Sequence, residues 1–147
     1  MEITRHFTVT TTVVHKDKVL LHYHKSLKKW IPIGGHIDRD KLPEEAAIRE
    51  AKEEAGLDIA LYSADKNLGL KESRQLVCPA HVVLHDINEH HQHIDFTYYA
   101  TAETFDLNPE NGEAKELKWF TKKEIEKEDM IDNAKICSLE ALKILGK

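Results

Sequence analysis

The sequence predicts an α/β protein with a mixed β-sheet between helices, and three observations carry that expectation. Runs rich in Thr, Val and aromatic residues mark strands at Thr4 to His15, Val19 to His24 and His91 to Ala102. Helical patterns mark residues 43–55 and Ala134 to Leu145. The two kinds of segment are interspersed without the regular alternation of a purely parallel sheet, which favours a mixed sheet covered by helices on both faces.

The elements follow in order. Thr4 to His15 alternates in the manner of a half-buried strand, and the polar turn Lys16-Asp17-Lys18 leads into Val19 to His24, so the chain opens as a hairpin. Trp30 to Ile33 is a short apolar run ending in Gly34-Gly35, which permits close approach by a ligand. Pro43 suits a first helical turn, Glu44 and Glu45 suit its positive end, and Gly56 suits the stop, whereas Leu42 is a poor cap. Arg74 to Ile87 and His91 to Ala102 read as long strands joined by a His-rich turn, and Leu117 to Phe120 as a short one. Thr121 with Glu124 has the spacing of a capping box, and Gly146 ends the last helical pattern.

Composition narrows the function classes. The 147 residues, 41% apolar and 32% charged, fit one folded domain over residues 1–147. No apolar stretch approaches the ~20 residues that span a bilayer, and the first ten residues lack the regions of a signal peptide, so a cytoplasmic location without membrane partners is expected. Cys78 and Cys137 lack metal-type spacing and read as reduced, packed thiols. The net charge of -5 disfavours duplex nucleic acid, while a small anionic ligand accompanied by cations stays open.

On the helix at 43–55, Ala47, Ala51 and Ala55 form one face by four-residue steps, and Glu50, Glu53 and Glu54 gather on another. The small residues are expected to pack inward and the carboxylates to converge outward. Arg49 and Lys52 neutralise only part of that charge, so a hard divalent cation, which prefers oxygen ligands and keeps waters that phosphate can replace, is the natural complement. An acidic helix face taken alone is usually a solvated surface.

The wider spacing decides between these readings. Gly35, followed by Arg49-Glu50-Ala51-Lys52-Glu53-Glu54-Ala55-Gly56-Leu57, resembles the Nudix signature of Gly, five residues, Glu, seven residues, Arg-Glu, apolar, any, Glu-Glu, any, Gly, apolar. Six of seven fixed letters match, a coincidence on the order of one in a million per starting position at average residue frequencies. Lys41 stands where the family has its first Glu, Asp40 where a Gly often precedes it, and Pro32 lies one position before the usual Pro-Gly-Gly entry.

The resemblance implies a Nudix-like α/β/α sandwich and a magnesium-dependent hydrolase, with Mn2+ as a substitute, that cleaves the diphosphate linkage of a nucleoside diphosphate derivative. It implies Glu50, Glu53 and Glu54 as metal ligands together with the Gly34 carbonyl, and Arg49 as the residue that orients Glu50. The general base in the family is the Glu equivalent to Glu50 or a carboxylate on a distant loop, and Glu113, six residues before Trp119, is the loop candidate ahead of Glu110 and Glu116. The expected partner is a small nucleotide-like molecule, and a homodimer is left open.

The substrate-binding candidates are Trp30, His36, Phe96 and Tyr98. Aromatic faces can stack a base, although core packing is the commoner fate of such residues. His90, His91 and His93 with Glu89 suggest an imidazole cluster for zinc, nickel or copper. Strand alternation sends His91, His93 and Asp95 one way and His90 and Gln92 the other, which favours a solvated turn over a metal site. The competing functional readings are a catalytically silent nucleotide-binding module, motivated by Lys41, and a prenyl diphosphate isomerase, for which neither cysteine has a suitable context.

Overall fold

The computed structural model describes residues 2–110 and 116–147. Its strands are β1 (Thr4–His15), β2 (Lys18–His24), β3 (Lys29–Ile31), β4 (Ile33–His36), β5 (Ile59–Leu61), β6 (His81–Asn88), β7 (His91–Ala102) and β8 (Leu117–Thr121). Its helices are α1 (Pro43–Ala55), α2 (Lys122–Lys127) and α3 (Asp132–Leu145). The strands form one mixed sheet in which β1 and β7 run parallel, from Thr4 opposite His91 to Val14 opposite Thr101. On its other edge β1 pairs antiparallel with β4 over its middle, from Thr8 to Thr11, and with β2 at its end. The far edge of β7 carries β6 and then β5, both antiparallel.

Helices cover both faces, giving the α/β/α sandwich that the sequence predicts. Under α1, Ala46, Ala47, Ala51 and Ala55 are fully buried and meet Val9, Val13, Leu20, Ile33 and Tyr98. On the opposite face, Ile125 of α2 and Ala134 and Ala141 of α3 pack with Val14, Val19, Leu21, Tyr99 and Phe120. The small inner face of α1 thus matches its four-residue spacing. Thr121 accepts from the Glu124 amide and Glu124 accepts from the Thr121 amide, closing the anticipated capping box at α2.

Three segments differ from the sequence expectation. Strand β1 is buried on both faces from Thr11 to Val14, because it lies in the middle of a sheet with helices above and below it. The apolar run from Trp30 to Ile33 divides at Pro32, which has no N–H to donate, so β3 stays with β2 while β4 crosses to β1. The strand expected from Arg74 begins only at His81, after Pro79. Before it, Gln75 bonds to Asp65, to the Lys66 carbonyl and to the Leu68 amide, and so organises a loop instead. The thiols differ too, since Cys78 is exposed and only Cys137 is partly buried.

Because the fully buried residues of α1 are all alanines, added volume there has nowhere to go. Ala51→Leu is expected to lower stability by about 1–3 kcal/mol, read from urea midpoints. An unchanged midpoint would show that the helix can lift without loss.

Candidate active site

Glu50 is the pivot of the acidic face. Its carboxylate is turned toward the β4 backbone, where a Cβ on Gly35 would stand 2.5 Å from Oε1 and 2.8 Å from Cδ. The second glycine of the loop therefore makes the space that Glu50 occupies. Glu50 is only 14% exposed at its side chain against 42% for Glu53, so the carboxylates do not simply point outward as a group. Gly34 lies opposite Thr10 in the same ladder, and a Cβ there would collide with the Val9 carbonyl.

Arg49 holds this cluster together. Its guanidinium donates to Asp38 at 2.7 Å and to Glu50 Oε1 at 3.1 Å, and its Nε lies 3.8 Å from Glu53. Asp38, on the loop after β4, is a member of the constellation that sequence reading missed. Its only signal was an acidic residue in the variable stretch of the box, close to the position where Lys41 replaces the family's first Glu. Lys41 itself is exposed and, among the described residues, forms no ion pair with Glu50, Glu53 or Glu54.

Burial raises the Glu50 carboxyl above its ordinary pKa, and the charges of Glu54 and Glu53 push the same way against the pull of Arg49. Among the described residues, Arg49 is the cation that reaches both Glu50 and Glu53. Three carboxylates on neighbouring turns of one helix, beside a glycine backbone, offer oxygen donors of the kind a hard divalent cation prefers.

The C-terminal end of α1 is fixed as well. Gly56 adopts φ 69°, and a side chain there would run into Asn108. The Asn108 amide donates to the Ala55 carbonyl and the Glu110 amide to the Glu53 carbonyl, so the chain after β7 is docked on the helix that carries the carboxylates. Glu113 lies outside the described residues. The flanking Glu110 and Glu116 amount to an exposed position beside α1 and a residue whose carbonyl accepts from the Tyr23 amide.

The aromatic candidates are not assembled at one place. Tyr98 is 1% exposed and sits in the core under α1, where burial pushes its phenol up to about 12. Phe96 is on the same face and packs against Phe7, with ring centroids 5.8 Å apart. Trp30 is partly buried on the opposite side of the sheet, edge-on to Phe120 at 5.1 Å. His36 is exposed, and its ring stands 4.9 Å from that of His93.

A cavity of ≈ 310 Å³ opens on the sheet face opposite α1, between β1, β6, β7 and α3. Thr10, His85, His93, Asp95 and Asn133 give it polar walls, and Leu27, Ile31 and Ile131 give it apolar ones. Asp95 is nearly buried and accepts from the hydroxyls of Thr8, Thr10 and Thr97, which fixes its orientation. Nothing local in the sequence marked this arrangement, because two of its three donors, Thr8 and Thr10, lie more than eighty residues from Asp95 on another strand. A cavity of ≈ 710 Å³ at the C-terminal end of α3 shares no lining residue with the carboxylates or with this pocket.

The architecture has counterparts among known proteins. The NUDIX domain family profile matches residues 4–141. A hydrolase of the NUDIX family from Clostridium perfringens is 47% identical over 97% of this chain and 99% of its own, with a TM-score of 0.87. The NUDIX domain of Shewanella oneidensis NrtR, solved with ADP ribose, superimposes over 97% of this chain and 89% of its own with a TM-score of 0.68 at 17% identity. A MutT NUDIX hydrolase from Burkholderia pseudomallei does so over 95% and 98%, with a TM-score of 0.67 at 23% identity. These last two show likeness of fold. No curated protein matches the chain in sequence. The chain belongs to the Nudix hydrolase family. Among the described residues no helix is long and apolar enough to cross a membrane.

The contact between Gly35 and Glu50 has a direct test. Gly35→Ala should force the carboxylate to rotate and weaken hydrolase activity by roughly 10–100-fold. Circular dichroism should show the fold retained. Full activity in the variant would show that Glu50 need not occupy this space.

Proposed function

We propose that the protein is a divalent-metal-dependent hydrolase that cleaves the diphosphate linkage of a nucleoside diphosphate derivative by attack of water on phosphorus. The observation that carries this reading is the grouping of Glu50, Glu53 and Glu54 on α1, with Arg49 bridging Glu50, Glu53 and Asp38 and with Gly35 leaving room for Glu50. Glu50, Glu53, Glu54 and the Gly34 carbonyl would hold magnesium, with manganese as a substitute. Such an ion, when bound, lowers the pKa of water and stabilises charge on phosphate oxygens.

The chain's own residues contribute positioning. Arg49 keeps Glu50 in one orientation, so that its oxygens do not have to be gathered when substrate arrives. Asp38 takes the other arm of Arg49 and keeps the guanidinium from neutralising Glu50 alone. Glu113 is the proposed general base, and the docking of Asn108 and Glu110 on the end of α1 supports it by starting that loop beside the carboxylates. The cavity opposite α1 offers a place for the nucleoside-like part of the substrate, and the Shewanella domain with ADP ribose supports a ligand of that chemical kind.

A silent binding module is the second reading, and Lys41 is the observation that favours it. The two separate in a panel of nucleoside diphosphate derivatives assayed with Mg2+ or Mn2+. Cleavage that falls by on the order of 100-fold in Glu53→Gln supports the hydrolase. Nucleotide binding without cleavage by the native protein supports the module, and Lys41→Glu then becomes the variant that should restore turnover. Glu113→Gln should reduce kcat by about 10²–10⁴-fold at an unchanged melting temperature, and unchanged kcat removes Glu113 from the mechanism.

A further inference from the structure

His90 lies in an exposed turn, as expected, while His91 and His93 at the start of β7 belong to a histidine cluster built from three strands. Parallel pairing sets His6 of β1 opposite His93 of β7, and the antiparallel ladder sets His36 of β4 opposite Thr8. Directly paired residues share a face, and so do residues two apart, so His6, His36, His91 and His93 all project from the face of the sheet opposite α1. The ring centroids of His6 and His91 are 4.6 Å apart, those of His91 and His93 4.8 Å, and those of His36 and His93 4.9 Å.

We propose that this cluster is a binding site for a borderline transition-metal cation of the zinc, nickel or copper class, with His6, His91 and His93 as ligands and His36 beside them. The ligand nitrogens of those three residues lie within 4.8 Å of one another, and His91 Nε2 is 2.8 Å from His6 Nδ1. Nitrogens sharing one tetrahedral zinc stand about 3.4 Å apart at bond lengths of about 2.0–2.1 Å. Small side-chain rotations, which bring one pair closer and separate the other, therefore suffice.

One further observation points to a ligand. His93 Nε2 is shielded from solvent and has no hydrogen-bond partner among the described residues, a cost that coordination would remove.

The donor chemistry distinguishes this site from the acidic helix. Imidazole nitrogens suit borderline cations, and the α1 carboxylates suit magnesium, so the two sites select different ions from one solution. The exposed ring of His6 gives an ion a route in, and His93 also lines the cavity. A bound ion would clamp the N-terminal half of β1 to the start of β7, which predicts a higher melting temperature.

The test is titration of the tag-free, chelator-stripped full chain with Zn2+ by calorimetry and with Co2+ by visible absorption. The expected result is a single equivalent bound, nitrogen-type Co2+ bands and a raised melting temperature. Affinity should fall by at least roughly 10–100-fold in His6→Ala and in His93→Gln. It should be retained in His90→Ala, a neighbour outside the cluster, and in Glu53→Gln, so that failure here is separate from failure of the hydrolase reading. His6 is exposed and its replacement leaves the core intact, while far-UV circular dichroism checks that His93→Gln is folded. The proposal is overturned if the native chain binds neither ion at micromolar metal, or if binding survives both histidine substitutions. Loss in Glu53→Gln with retention in His6→Ala would also overturn it, by assigning the ion to α1.

Discussion

The structure depends on the parallel pairing of β1 with β7. It joins residues more than eighty positions apart over the length of both strands and makes them the two central strands of the sheet. A parallel strand in that position must be covered on both faces, which explains why α1 lies on one side and α2 with α3 on the other. Both proposed sites inherit their position from this ladder. Strand β1 carries β4, and with it the glycines beside Glu50, while its even-numbered residues meet β7 to form the Asp95 network and the histidine cluster.

What could be read from the sequence was what neighbouring residues decide. The alanine face of α1, its proline start and glycine stop, the Thr121 to Glu124 box and the two long strands all follow from spacings of a few residues. Local pattern does not name a strand's partner, so β1 looked half-buried although its centre is buried on both faces. The same limit explains the segment before His81. The sequence from Arg74 has strand-like residues, but Pro79 and the bonds of Gln75 hold that stretch out of the ladder.

The candidate site was legible to a similar degree. A signature of fixed spacing exposes its own members, so Arg49, Glu50, Glu53, Glu54 and Gly56 were found without knowledge of the fold. Asp38 was not, because its meeting with Arg49 depends on how the loop after β4 turns back over α1. His6 was missed for a stronger reason, since nothing near it in the chain is a histidine, and its neighbours His91 and His93 arrive through the sheet. For Tyr98 the structure shows core packing, the commoner of the two fates weighed for it, and alternation alone could not decide between them because it gives a residue's face but not whether a helix covers it.

The alanine interface beneath α1 has a consequence for variation in this protein. A helix seated on methyl groups acts as a spacer of fixed thickness, and the same spacing sets where Glu50 stands relative to Gly35. Packing beneath α1 and the position of Glu50 are therefore one variable here. A substitution that improves packing by moving the helix would also move the carboxylates, so tolerated changes in the α1 core should be those that preserve its distance from the sheet.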